Sequence, residues 1–246
     1  MAIGSRDNTA SIHRALRAAI LRGELPGGTD LSQVKIADDF GVSRGPVREA
    51  LRLLEREGLV EAELNRRVRV TPLSPEDLEQ LYAQRIVNEA FGIRVSVPYL
   101  TEEELASLHA DVEEMSALAR TDVGEWEAVH RGFHHALIAY SGARIVRFAD
   151  QLYDHAERYR LAYHAQGPRA WSQGEAEHRE IVAACEARDP AEAAAALARH
   201  LARTASSVLM QVAPDHDPVL VRSAVRAASS REPTSRPARV APQRSA

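Results

Sequence analysis

Val42-Ser43-Arg44-Gly45-Pro46-Val47-Arg48-Glu49-Ala50-Leu51 is the stretch whose reading decides the fold. Ser43 is suited to cap a helix, and that helix tolerates Pro46 because first-turn amides lack helical partners. On such a helix Val47, Ala50, Leu51 and Leu54 share one face. Arg44 and Arg48, four apart, share another that Arg52 continues. A short helix with an apolar inner stripe and an outer row of arginines is built to enter a nucleic-acid groove.

The flanking segments complete a module around it. Asn8 or Thr9 can cap a first helix in which Ile12, Ala15, Leu16, Ala19 and Ile20 recur until Gly23. A second helix runs from about Ser32 to Phe40, Gly41 makes the turn, and Gly58 ends the third helix. Val60/Ala62 and Val68/Val70 then alternate around a polar tip at Asn65-Arg66-Arg67, which reads as a two-stranded hairpin. Helix, helix, turn, helix, hairpin is a winged helix-turn-helix. The candidate DNA-contacting residues are Ser43, Arg44, Arg48 and Arg52 on the third helix, Lys35 on the second, and Arg66, Arg67 and Arg69 on the hairpin.

Thr71-Pro72-Leu73-Ser74-Pro75 reads as a linker, and the segments that follow are helical in pattern. Helices are expected at about 75–97, 102–120 (capped by Thr101 with Glu104), 123–140, 143–165, 174–188 and 190–212. The fold class is therefore mainly α, with an N-terminal winged helix-turn-helix and a C-terminal all-α bundle of six or seven helices. The expected domains are residues 1–72, 73–212 and a tail, 213–246, rich in Pro, Ser, Arg and Ala and read as disordered.

Charge follows this division. The 246-residue chain carries a net −4, distributed as +2 over residues 1–71, −9 over 72–212 and +3 beyond. The basic charge sits where a nucleic-acid partner needs it. Cys185 is the sole cysteine, so an internal disulfide and CxxC-type metal sites are excluded, and it reads as a small buried hydrophobe. No segment reads as a signal peptide or membrane span, so a soluble, cytoplasmic protein with no membrane partner is expected.

Ile36-Ala37-Asp38-Asp39-Phe40-Gly41 through Val47-Arg48-Glu49-Ala50-Leu51 to Glu57-Gly58-Leu59-Val60 resembles the DNA-binding half of GntR-family transcriptional regulators. The resemblance implies that Arg44 and Arg48 contact a double-stranded operator and that the hairpin tip enters the minor groove. Many members carry Arg in helix two where this chain has Val34, and Gly at the tip where it has Arg67.

In the body, His130 and His134 are spaced i, i+4 on one helix, and His178 and His200 lie on the last two expected helices. Antiparallel packing of those helices could bring them to one level. Spacing alone leaves two readings open: a metal site, or histidines scattered by chance in a chain with ten. His130-Arg131-Gly132-Phe133-His134, Glu177-His178-Arg179-Glu180-Ile181 and His200-Leu201 are similar to the all-helical FCD effector domain of the FadR subfamily. That resemblance implies a divalent metal, often zinc or nickel, beside a carboxylate effector. The family's ligands are an Asp and three His, and its aspartate position is His130. Four imidazoles suit zinc, nickel or copper and leave the ion its full charge, which favours an anionic effector. Arg85 matches an arginine that reaches an effector carboxylate; the competing reading is a surface pair with Glu89 four residues on.

The expectation is a regulator and not an enzyme: a homodimer on a palindromic operator, a repressor, modulated by an organic acid. The alternative is a metal-dependent hydrolase or oxygenase with an accessory basic module. It lacks an acid or base placed as in a HExxH helix, since Glu177 and Glu180 are merely near in sequence.

Overall fold

The computed structural model describes residues 3–21, 23–62, 68–119, 121–164 and 167–230. They fall into two compact units, Met1–Ser74 and Pro75–Ala246.

The first unit is built on α3 (Arg44–Arg56), which buries Pro46, Val47, Ala50, Leu51 and Leu54. Ile12 and Leu16 of α1 (Ile3–Leu21) and Ile36 and Ala37 of α2 (Gln33–Asp39) join the same core. Glu57 ties α1 to the end of α3, accepting from Arg17 Nε at 3.2 Å and meeting His13 Nε2 at 2.6 Å. Ser32 caps α2 as its side chain accepts from Lys35 N at 3.3 Å. Ser43 stands at the N-cap of α3, but its hydroxyl makes no capping bond there. Gly41, with φ of 63°, turns the chain between α2 and α3 in a conformation that costs glycine least.

The wing has three strands where two were expected. β1 (Asp30–Leu31), β2 (Val60–Ala62) and β3 (Val68–Val70) form an antiparallel sheet in the order β1-β3-β2. Val60 pairs with Val70 and Ala62 with Val68, while Asp30 pairs with Arg69 from the other side. A two-residue strand is too short to show alternation, so β1 left no trace in the pattern. Arg66 and Arg67 lie outside the described residues.

The second unit contains α4 (Pro75–Ser96), α5 (Glu102–Leu118), α6 (Val123–Leu137), α7 (Ala143–His164), α8 (Pro168–Glu186), α9 (Pro190–Val212) and α10 (Val219–Ala228). α4 packs against α7, α9 and α10; α5 against α6 and α8; α8 against α9. Thr101 and Glu104 form the expected capping box on α5. α9 is alanine-rich where it is buried, at Ala193, Ala194, Ala196 and Ala198, so small side chains face its neighbours. α8 starts at Pro168, six residues before the expected start, because proline at the first helical position initiates a helix instead of ending one.

The expectation of disorder from residue 213 is corrected by α10. Val221, Ala224 and Ala228 recur at helical spacing and are buried, a pattern that the Ser, Arg and Ala composition concealed. Glu79 of α4 holds its start, accepting from Leu220 N at 2.6 Å and meeting His216 Nε2 at 2.8 Å. Arg94 of α4 holds its end, donating to Ser230 O at 3.0 Å and Ala228 O at 2.5 Å.

α4 passes close to the segment after α6. A Cβ added at Gly92 would meet Ile138 Cγ2 at 2.8 Å and Cβ at 2.9 Å. Gly92→Ala is therefore expected to destabilise the bundle by about 1–3 kcal/mol by overpacking, measured by urea unfolding. Cys185 is fully buried, and burial pushes its thiol up to about 12. It is expected to resist a thiol reagent at neutral pH until denaturant is added; rapid labelling of the native chain would contradict this placement.

Candidate nucleic-acid interface and metal centre

On α3 the face opposite the core is the arginine face. Ser43, Arg44, Arg48 and Arg52 are all exposed, as is Lys35 on α2. A groove of about 1010 Å³ runs beside them, lined in part by Ser32, Gln33, Val34 and Leu31. Arg52 Nη1 donates to Glu49 Oε1 at 2.6 Å, an exposed i, i+3 pair that contributes little to stability. Arg69 Nε donates to Glu61 Oε1 at 2.5 Å, directly across the β2–β3 ladder.

In the bundle, His130 and His134 of α6, His178 of α8 and His200 of α9 are buried together, each offering one ligand atom within 4.8 Å of the others. Carboxylates stand behind three of these rings. Glu89 Oε2 lies 3.0 Å from His134 Nδ1, and Glu89 Oε1 accepts from Arg85 Nε at 2.7 Å. Burial opposes ionisation of Glu89, but Arg85 and His134 outweigh it and hold the carboxyl down at about 2. The proton between Glu89 and His134 therefore belongs to Nδ1, leaving Nε2 with its lone pair.

His130 follows the same logic through a tyrosine. Tyr153 OH donates to Glu127 Oε2 at 3.1 Å and so accepts from His130 Nδ1 at 2.6 Å. Glu127 is in turn paired with Arg160 at 2.7 Å. Behind His200, Nδ1 lies 3.0 Å from Glu177 Oε2, and Arg203 pairs with the other carboxylate oxygen. Burial raises Glu177 to about 7 against the pull of Arg203, making this the carboxyl whose charge changes near neutral pH.

Burial, followed by repulsion from neighbouring rings, pushes His130, His178 and His200 well below the usual imidazole range; burial also lowers His134, against Glu89. Neutral rings are the form that ligates a metal. His130 Nε2 and His134 Nε2 face each other at 3.2 Å with both Nδ1 positions already committed, so two lone pairs converge. His178 Nε2 is buried with no hydrogen-bond partner among the described residues. A tetrahedral ion with metal–nitrogen bonds of about 2.1 Å holds its nitrogens about 3.4 Å apart. The four rings, whose ligand atoms lie within 4.8 Å of one another, fit a divalent ion once the widest pair draws in by up to about 1.4 Å.

Arg85 forms the Glu89 pair raised by the spacing, but both residues are buried, so the surface reading of that pair is corrected. Arg85 Nη2 and the neighbouring Tyr82 hydroxyl are buried without a hydrogen-bond partner among the described residues. Trp126 stacks on His130, with centroids 4.4 Å apart and 18° between planes, and Trp171 stacks on His164 at 3.9 Å. Trp126, Glu127 and Tyr153 were not singled out in the sequence, and Glu89 was noticed only as a partner of Arg85, because no spacing rule ties Glu89 of α4 or Tyr153 of α7 to the histidines of α6. Glu177 was noticed only as a neighbour of His178. Glu127→Gln is expected to cost about 3 kcal/mol or more of stability, because it strips buried Arg160 of its counter-charge. A chemical-denaturation midpoint unchanged from the unmodified chain would refute that pairing.

A winged helix-turn-helix joined to a helical bundle with a buried imidazole cluster has the build of a transcriptional regulator. The sequence matches the family described as "Bacterial regulatory proteins, gntR family" over residues 8–70 and "FCD domain" over residues 80–203. The chain belongs to the GntR family of DNA-binding transcriptional regulators and carries an FCD domain. It is 37% identical over 153 residues to the HTH-type transcriptional regulator BphR of Paraburkholderia xenovorans (strain LB400), covering 59% of this chain and 62% of that protein. Less than two thirds of BphR's length is therefore spanned. It is 27% identical over 198 residues to the HTH-type transcriptional repressor GlaR of Escherichia coli (strain K12), covering 77% of this chain and 90% of GlaR. The crystal structure of a putative transcriptional regulator GntR from Rhodococcus sp. RHA1 superposes with a TM-score of 0.63 at 27% identity, covering 82% of this chain and 98% of that one. These relatives are regulators, not enzymes. No helix among the described residues is long and apolar enough to cross a membrane.

Proposed function

We propose that this chain is a metal-containing transcriptional repressor that binds a palindromic operator as a homodimer and responds to a small carboxylate. The observation that carries the reading is the exposed arginine row of α3, set on a helix whose other face is fully committed to the core. Arg44 and Arg48 read base edges in the major groove, where arginine grips guanine bidentately, while Arg52, Ser43, Lys35, Arg69 and the wing arginines Arg66 and Arg67 serve phosphates or the minor groove. A single short helix reads too few base pairs for specificity in a genome, and two copies on an inverted repeat supply the rest. The repressor sign rests on relatives such as GlaR.

His130, His134, His178 and His200 hold one divalent ion, zinc or nickel, whose charge attracts an anion. The carboxylate is met by Arg85 Nη2 and Tyr82 OH, two of the buried polar atoms without a hydrogen-bond partner among the described residues. A cavity bordering the cluster, between Trp126, His164, Trp171 and His178, holds about 20 Å³, room for about one water. Effector entry therefore moves side chains, and it changes operator affinity only by favouring one of two conformations that bind DNA differently.

Selection from random duplex DNA is expected to yield an inverted repeat. On it, Arg44→Ala and Arg48→Ala are each expected to weaken binding by about 1–3 kcal/mol and relax the preference at one position per half-site, read by fluorescence anisotropy. Equal affinity for all duplexes would overturn the assignment. Protein purified without chelator is expected to hold one divalent ion per chain by elemental analysis, and His134→Ala to lose it. Glu89→Gln is expected to weaken metal retention about 10- to 100-fold. Stoichiometric metal in both variants at unchanged affinity would remove the centre from the function.

A further inference from the structure

The chain has two tryptophans, and both line the small cavity beside the histidine cluster. Trp126 of α6 is buried and stacks on His130. Trp171 of α8 is only partly buried and stacks on His164 of α7, with 22° between planes. The two stacks meet edge to face, the Trp126 ring lying 4.6 Å from His164 at 75° and 5.1 Å from Trp171 at 85°. Four rings thus form one continuous aromatic wall, from a candidate metal ligand out to a partly exposed side chain. Val112 and Met115 of α5 add apolar lining, and Glu175, which also lines the cavity, is paired with Arg179. His164 Nδ1 is buried with no hydrogen-bond partner among the described residues, which fits a site that an occupant completes.

We propose that the effector is an aromatic carboxylate: its ring joins this wall between Trp126 and Trp171, and its carboxylate faces the histidines. The inference rests on the metal and carboxylate reading above and names the class of acid. Aromatic walls take either a cation or a flat ring. The ion proposed for the cluster lies one ring away, behind His130, and repels a cation. The same charge draws a carboxylate inward while Glu175 repels it from the outer end, so the acid has one orientation. The open space is only about 20 Å³, too little for a ring, so a wall member turns aside. Trp126, 4% exposed, is held between His130 and His164; Trp171, three residues into α8, has solvent to turn into. Turning it breaks its contacts with His164 and Trp126. An aromatic ligand restores them with its own π face, whereas a saturated acid of equal size opens the cavity at the same cost and recovers none. The preference therefore comes from the wall and not from the carboxylate's partners.

Calorimetric titration of the metal-loaded full chain with benzoate and with cyclohexanecarboxylate tests the proposal, since the two acids match in charge and nearly in size but only one has a π face. Benzoate is expected to bind about 10-fold more tightly. In Trp171→Leu that ratio is expected to fall close to one, and in Trp171→Phe, which keeps a π face, to survive. Because both acids are measured on each variant, a uniform loss of affinity leaves the ratio readable. Equal or tighter binding of cyclohexanecarboxylate by the unmodified chain would overturn the aromatic class and keep the carboxylate reading. A ratio unchanged in Trp171→Leu would remove this wall from the site and overturn the assignment. Binding of neither acid would also overturn the aromatic class; acetate and citrate run in parallel then decide the broader carboxylate reading, which falls only if they fail too.

Discussion

Hydrogen bonds from buried imidazoles to carboxylates, direct or through one phenol, determine what the helical unit can be. Glu89 behind His134, and Glu127 behind His130 through Tyr153, fix which nitrogen carries the proton and leave lone pairs converging in the interior. Without those acceptors the same rings could rotate and turn a protonated nitrogen toward the centre, where a metal needs lone pairs. The carboxylates are held in turn by Arg85, Arg160 and Arg203, so three of the four rings are backed by a relay that ends in a guanidinium. Removing Glu89 or Glu127 leaves a buried arginine without its counter-charge, so this interior polarity is tolerated only while those pairs are complete.

The DNA-facing unit uses the opposite economy. Its functional side chains lie outside, and the helix that carries the arginine row is anchored by apolar groups: Val47, Ala50, Leu51 and Leu54 hold α3, and the arginine face follows from helical periodicity. α1 and the wing complete the core around that helix.

Much of this was legible in the sequence because it is local. Arg44, Arg48 and Arg52 lie a turn apart, the Thr101–Glu104 box spans one turn, and His130 and His134 share a helix face; a period of 3.6 residues is enough to predict each. Where local signals were weak the expectations failed. β1 is two residues long, α10 hides in a composition read as disorder, and the start of α8 at Pro168 looked like a stop.

Residue order alone established two units, their helical or winged character and the arginine face, since these depend on periodicity and turn chemistry within about a dozen residues. It also supplied four histidines on three helices, but only as candidates. Packing determined that they converge, that Glu89, Glu177 and Tyr153 stand behind them, that Arg85 is buried and not a surface residue, and that Glu79 and Arg94 pin α10. The hydrogen bonds behind His130 and His200 and at the start of α10 join residues from 23 to 141 apart in the chain. Contacts at such separations are set by how helices stack to bury their apolar stripes, and no local pattern encodes them.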